Sequence, residues 1–378
     1  LWMLRRYVDE PNRLRLALAG ITLGQALGAK ISAVILVPIA LVLLLLAGYA
    51  PPSHAEPAKP SSSASRKSKG SAKGAPGAAA SVPRRFSPLM SLAIMLVLAA
   101  LVVWALYFFP SDPWFYLRGL ATVNRDHDPG YFAYLMGEMR PGGWYSYFLI
   151  AYLVKTPIPS LILLAAAGVV FFRRRRAGLL DEAFLLIPAL TFFVGYSFTA
   201  DNLGVRYLIP CYPFLMIFTA RLGPVVTAGK AWAKAALVAL LVWLIVEFAV
   251  IWPDHLAYFN EITGVPPQGS RWLDDSNLDW GQGLVQLQEY LREHPVADFH
   301  LCYFGSASPA YYGVAGRDIQ VKDLLSPPPA GTYILSAHCV ARARAELARS
   351  YGEGSGNWLA QTAPKTVVGH AFEIYEIR

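Results

Sequence analysis

Seven apolar stretches run through the chain, at about 14–28, 31–49, 88–109, 147–172, 183–199, 206–222 and 234–252. A hydrocarbon core of roughly 30 Å takes about 20 helical residues at about 1.5 Å each, so every stretch is long enough, or nearly, to cross a bilayer. With 55% of its residues apolar and a mean hydropathy of +0.39, the chain is too hydrophobic for a soluble protein with one core. The expected class is a polytopic α-helical membrane protein with about seven hydrophobic helices.

The connections alternate in charge. Those of one parity carry four Lys and Arg before residue 16, seven in 50–87, four in 173–176 and three in 221–234. Those of the other parity, up to Arg206, hold only Lys30, Arg118, Arg125, Arg140, Lys155 and Arg206. The basic side is expected to be cytoplasmic, because Lys and Arg are retained on that side of a membrane. The net charge of +8 is then mostly a matter of topology, and its placement argues against nucleic acid as a partner.

This orientation sets the expected organisation. Residues 1–49 form membrane helices. The first residues, starting at Leu1, read as the cytoplasmic flank of a helix, so earlier helices are expected upstream. Residues 50–87, rich in Pro, Ser, Ala, Gly and Lys without periodicity, read as a disordered basic cytoplasmic linker. Residues 88–252 return to membrane helices with an outer loop at 110–147. In that loop Asp112-Pro113 reads as a helix cap followed by Pro at the first helical position. Pro157 and Pro159 interrupt the stretch 147–172, so 144–154 reads as an outer, partly submerged helix with Lys155 at the break. Pro210 and Pro213 should kink the helix over 206–222.

Residues 253–378 read as an outer α/β or α+β domain. Strands are expected at FHLCYF, GTYILSA and FEIYEI. Helices are expected at 281–293, with Asp279 as its cap, and at 341–351. Cys211 falls in an apolar helix as a small core residue. Cys302 and Cys339 fall in separate expected strands of the outer domain, and whether they pair stays open.

Four elements should meet at the outer membrane surface: the turn at Lys30, the loop 110–155, the turn 201–206 and the start of the C-terminal domain. An enzyme on that face typically draws on an activated lipid carrier, so cations would be needed for a phosphate and carboxylates to activate an acceptor. Lys155 is the first candidate, since ionisable residues within a membrane are functional by default; simple snorkelling to the interface is the competing role. Arg206 offers a planar fork suited to phosphate oxygens, or a structural pair with Asp201 or the C-terminal domain. Arg118 and Lys30 are weaker, because interfacial anchoring explains both.

In the segment 124–145, His127 beside Asp126 and Asp128 is a candidate general base or metal ligand, though one histidine without a spaced partner makes no metal motif, and a turn or capping role competes for the two acids. Glu138 and Trp144 belong to the same segment, whose aromatics stack on sugars or form the interfacial belt. Asp274, Asp275, Asn277 and Asp279 read as a turn and helix cap, because a calcium loop started at Asp275 meets Trp280 where glycine is required. Glu247, near the outer end of the last helix, reads as a buried acid or, by preference, as a helix–helix hydrogen-bond partner. No Walker loop, dinucleotide-type glycine pattern, GxSxG or zinc spacing occurs. No cofactor is expected, and no ligand spacing supports a divalent cation.

Several ordered blocks carry a family resemblance: GITLGQALGAKISAVILVP, HDPGYFAYLMGEMRPGGWYSYFLIAYLVKTPIP, DNLGVRYLIPCYPFL, and HLAYFNEITG followed by DSNLDWGQGL. The chain resembles bacterial members of glycosyltransferase family 39, protein-mannosyltransferase-like enzymes of the C-type glycosyltransferase (GT-C) fold, over nearly all of its length outside 50–87. The resemblance implies an inverting transfer from a polyprenyl-phosphate-linked sugar to a lipid, glycan or protein acceptor on the outer face of the cytoplasmic membrane. It also implies a catalytic acid in the first outer loop, near the N-terminus of such enzymes. That loop has no counterpart in this sequence, so the catalytic residue is unassigned. By resemblance, Lys155 and Arg206 contact the donor phosphate, and His127 and the Asn260-Glu261 pair lie nearby. Asp201 and Asn202, in the block DNLGVR, are further pocket candidates. The alternative is a non-enzymatic scaffold or transporter whose outer domain binds a partner. A transporter should show repeated halves with broken helices meeting at the midplane, and the sequence has no visible repeat.

Overall fold

The computed structural model describes residues 1–49, 86–125, 130–173, 178–265, 268–352 and 356–378. The expected linker 50–87 lies almost wholly outside the described residues, as do Asp126, His127, Asp128 and most of the basic run 173–176. The chain divides into two units, residues 1–124 with 177–188, and residues 125–176 with 189–378.

The first unit contains α1 (Trp2–Asp9), α2 (Arg13–Ala29), α3 (Leu36–Tyr49), α4 (Pro88–Leu106) and α5 (Phe115–Arg125). Asn12 caps α2 by accepting the Arg15 N–H at 2.8 Å. Ser87 caps α4, with Pro88 at its first position. One stripe of α2, comprising Leu16, Ala19, Gly20, Leu23, Gly24 and Leu27, is buried. The backbone of α4 comes so close that a Cβ on Gly24 would lie 2.7 Å from the Val102 Cβ and 2.8 Å from the Ala99 carbonyl oxygen. Gly20, Gly24 and Gly28 recur at every fourth residue, the small-residue spacing that lets apolar helices approach. Ahead of α5, the Asp112 Oδ1 accepts the Trp114 N–H at 2.9 Å, but the helix begins only at Phe115, so Asp112 orders the preceding turn and Pro113 does not open the helix as expected.

The second unit opens with a hairpin, β1 (Phe132–Leu135) against β2 (Glu138–Pro141). Helices α6 (Tyr147–Lys155) and α7 (Ile158–Arg173) follow, bent by 113° at the expected break. Helix α8 (Leu179–Thr199) begins in the first unit and ends in the second. The 206–222 stretch is a 3-10 turn, Val205–Cys211, that hands over to α9 (Tyr212–Thr219), followed by α10 (Leu222–Thr227) and α11 (Ala231–Val250).

Five segments are long and apolar enough to cross a membrane: Ile31–Gly48, Pro88–Leu106, Leu179–Thr199, Val205–Thr227 and Ala231–Val250. The bent pair α6 and α7 makes a sixth if it counts as one span. The expected seven is therefore reduced among the described residues. Helix α2, with 17 residues, a reach of about 26 Å, stands at the lower limit of spanning length and is not among the five.

The C-terminal region is a mixed α/β fold, as expected. It comprises α12 (Leu284–Glu293), β3 (Phe299–Cys302), β4 (Arg317–Asp318), β5 (Gly331–Ser336), α13 (Ala337–Tyr351), α14 (Trp358–Gln361), β6 (Thr366–Val368) and β7 (Phe372–Ile377). The sheet order is β4-β3-β5-β7-β6, parallel across the first three strands and antiparallel thereafter. Alternate side chains on a strand face opposite sides. Ile334, Phe372 and Ile374 accordingly pack with Leu284 and Leu287 of α12. Tyr333, Leu335 and Tyr375 pack with Val340, Ala343 and Leu347 of α13 and with Trp358.

Three sequence expectations need correction here. Cys339 lies in the first turn of α13 rather than in a strand. Because β3 and β5 are parallel neighbours, it reaches Cys302 at the end of β3, and the two form a disulfide with Cα atoms 6.2 Å apart. Helix α12 starts after Gly283, and Asp279 does not cap it; its Oδ1 accepts the Gly281 N–H at 2.9 Å instead. Glu247 also differs in partner, since its carboxylate accepts the Tyr258 hydroxyl from the segment after α11 rather than a group on another helix.

Candidate functional site

The site begins at the break between α6 and α7. Pro157 has no N–H to give the Leu153 carbonyl, so the end of α6 would leave acceptors unsatisfied. Asn260 supplies the missing donors. Its Nδ2 donates to the Leu153 and Thr156 carbonyls at 2.6 and 2.7 Å, and its backbone N–H donates to the Val154 carbonyl at 3.0 Å. The side chain of Asn260 is thus fully buried and engaged in holding the break open.

At that break, the Lys155 ammonium donates to the Leu256 and Asn277 carbonyls at 2.7 and 2.6 Å and lies 4.2 Å from the centre of the Phe259 ring. Asn277, fully buried, reaches in three directions. Its carbonyl accepts from Lys155, its Oδ1 accepts the Val205 N–H at 2.9 Å, and its Nδ2 donates to the Tyr147 hydroxyl at 2.8 Å. One asparagine therefore joins the end of α6 to the residue that precedes Arg206. The contact requires Gly204, whose φ of +150° is unfavourable for other residues. A Cβ there would lie 2.4 Å from the Ser276 Oγ.

The Arg206 guanidinium lies 5.0 Å from the centre of the Trp280 ring and 5.6 Å from that of Tyr207. Neither Lys155 nor Arg206 forms an ion pair with a carboxylate among the described residues; carbonyls and ring faces surround them. Stacking leaves the in-plane N–H donors of a guanidinium available to an oxyanion.

Behind Trp280 a chain of contacts fixes the segment. Phe304 meets the Trp280 ring edge-on at 5.5 Å and stacks on His338 at 3.8 Å. His338 and Arg342 of α13 each contact the buried Asp274 carboxylate at 2.7 Å. Arg342 also donates to the Tyr131 hydroxyl at 2.7 Å, which in turn donates to the Asp275 carboxylate at 3.0 Å. Burial alone would raise the Asp274 pKa, but the His338 and Arg342 partners outweigh it and hold the carboxyl below its usual range. Burial pushes Asp275 up, and pushes Asp279 up to about 6.

The remaining sequence candidates fall as follows. The backbone N–H of Trp144 donates to the buried Asn202 Oδ1 at 2.6 Å, so Asn202 orders the loop after the hairpin. Asp201 is partly buried beside it, while Glu138 on β2 and Glu261 are exposed. Arg118 lies in the first unit, exposed and paired with Asp112, and Lys30 lies in that unit as well. His127 and Asp128 lie outside the described residues. Sequence reasoning missed Asn277 as a connector and Trp280 as the neighbour of Arg206. Both stand in the block DSNLDWGQGL, whose acidic residues drew attention to turns and caps. Among the described residues, no cluster of three His, Cys, Asp or Glu is arranged to hold a metal ion.

Set against protein-family models, curated proteins and solved structures, the chain matches none of them. Asn277 thus connects Lys155, the last residue of α6, with the 3-10 turn that carries Arg206 at the start of the segment Val205–Thr227.

Proposed function

We propose that the chain is a membrane glycosyltransferase, or the C-terminal portion of one, that uses a sugar carried on polyprenyl phosphate at the outer face of the cytoplasmic membrane. The observation that carries this reading is the connection through Asn277. It links Lys155, at the broken end of α6, to the element that begins with Arg206, and no carboxylate among the described residues pairs with either cation. A cation without a counter-charge at a membrane edge is costly, and an anionic lipid headgroup offsets that cost. A lipid phosphate reaches such a position with its tail still among the helices.

The Cys302–Cys339 disulfide fits a domain in an oxidising compartment, which supports the outward placement of the α/β region. The resemblance of the blocks around Lys155, Arg206 and Asn277 to family 39 enzymes supports the transfer chemistry, with Lys155 and Arg206 as donor-phosphate contacts. The acceptor is a lipid, glycan or protein.

The test is binding of undecaprenyl phosphate to the purified chain in nanodiscs. Hydrogen bonds to charged groups contribute about 1.5–3 kcal/mol each, so Lys155→Met and Arg206→Gln should each weaken binding by about 10- to 100-fold. Binding that is unchanged in both variants would contradict the reading.

A further inference from the structure

Trp280 is 45% exposed although it sits in one of the most tightly held turns of the chain. Its backbone N–H donates to the Gln282 Oε1 at 2.7 Å, and the Gln282 Nε2 returns to the Leu278 carbonyl at 3.0 Å. Asp279 secures the same turn through Gly281. The Arg206 guanidinium covers part of the indole, and Phe304 meets its edge. Exposure of a single aromatic is ordinary by itself; what sets Trp280 apart is that its open ring lies directly beside the Arg206 guanidinium.

In a polyprenyl-phosphate sugar the phosphate is bonded directly to the oxygen on the anomeric carbon. The sugar ring thus begins two bonds from phosphorus, so a guanidinium that holds the phosphate brings the sugar close to the guanidinium's own neighbours. The indole is that neighbour, 5.0 Å from the guanidinium carbon. A hexose or pentose presents a face of C–H groups that an aromatic ring accepts, while its hydroxyls seek polar groups such as the exposed Gln282. Trp252 provides a contrast. It follows α11 directly and is 68% exposed at the end of a span, the placement of an interfacial anchor. Trp280 stands instead in an irregular turn of the C-terminal region, far in sequence from any span, and its ring packs beside Arg206 rather than ending a helix.

We propose that Trp280 is the platform for the sugar ring of the lipid-linked donor, next to the phosphate site at Arg206, an assignment that rests on the reading of that site given above. The indole distinguishes loaded carrier from spent carrier, so the site binds polyprenyl-phosphate sugar more tightly than bare polyprenyl phosphate.

The experiment measures the affinity of the full chain in nanodiscs for undecaprenyl phosphate and for a set of undecaprenyl-phosphate hexoses and pentoses. At least one loaded lipid should bind about three- to tenfold more tightly than the bare lipid, the scale of one aromatic contact. Trp280→Ala should abolish that difference while leaving affinity for the bare lipid within about twofold, and Trp280→Phe should retain part of it. Thermal unfolding of each variant reports whether the turn survives; if Trp280→Ala unfolds, the Trp280→Phe and Trp280→Leu pair carries the comparison. Arg206→Gln should weaken both ligands together. If bare lipid binds through Arg206 but no sugar improves affinity, this inference is wrong and the phosphate site stands. Equal weakening of both ligands by Trp280→Ala, as for a membrane anchor, would also overturn it. Failure of both lipids to bind the wild-type chain sinks the phosphate site and this inference with it.

Discussion

Asp279 and Asp274 are two buried carboxylates in one turn with opposite tendencies. Asp274 is held ionised by His338 and Arg342. Asp279 has no exposed surface, and its Oδ2 has no hydrogen-bond partner among the described residues. Burial raises its pKa to about 6, above the value of about 3.9 expected unfolded. Between those values the folded chain holds the extra proton, so stability falls as pH rises through that window and stays lowered above it. The full loss is about 3 kcal/mol at most. Asp279→Asn keeps the acceptor for the Gly281 N–H and removes the titration. Its midpoint of thermal unfolding should exceed that of wild type at pH 8, with the gap closing towards pH 4. A gap that instead widened on acidification would contradict this origin of the strain.

At the scale of elements, α2 and α4 depend on a missing side chain. A Cβ on Gly24 would meet both the Val102 side chain and the Ala99 backbone, and the backbone cannot yield as a flexible side-chain tip can. Gly24→Leu should separate the pair and destabilise the first unit by about 3 kcal/mol, as overpacking does. Gly168→Leu, where a Cβ meets nothing within 4 Å, is the matched control. Equal thermal stability of the two variants would show that the close approach does not matter. Local chemistry made other elements readable in advance. The 113° bend follows from prolines that lack an N–H, and the strand FEIYEI follows from its alternation. The role of Asn260 was not readable, because the carbonyls it satisfies lie more than a hundred residues earlier in the chain. The Cys302–Cys339 bridge was open for a related reason. Only the parallel pairing of β3 and β5 brings the two thiols together, and no local pattern announces that pairing. At α2 the apolar stretch resolves into a 17-residue helix, at the lower limit of spanning length, so its place among the spans is not fixed by composition.

At the scale of the molecule, the second unit joins membrane helices to an α/β region through a few polar contacts. Asn277 and Ser276 grip the turn at 203–205, Asn260 closes the end of α6, and Asp254 binds Gln286 and His370 at the start of the C-terminal region. Lys155 and Arg206 were legible as candidates because cations are scarce on their side of the topology. Their common dependence on Asn277 was not, since it arises only when three separate segments meet. A lipid phosphate bound there places its headgroup beside the segment 277–280 and its tail along the helices. An undecaprenyl phosphate carrying a photoreactive group next to the phosphate, irradiated with the chain in nanodiscs and mapped by mass spectrometry, reports that location. Labelling is expected on peptides containing Lys155, Arg206 and Trp280, and competition by unlabelled undecaprenyl phosphate should remove it. Labelling confined to the lipid-facing helix Ala231–Val250, and indifferent to competitor, would contradict the proposed site.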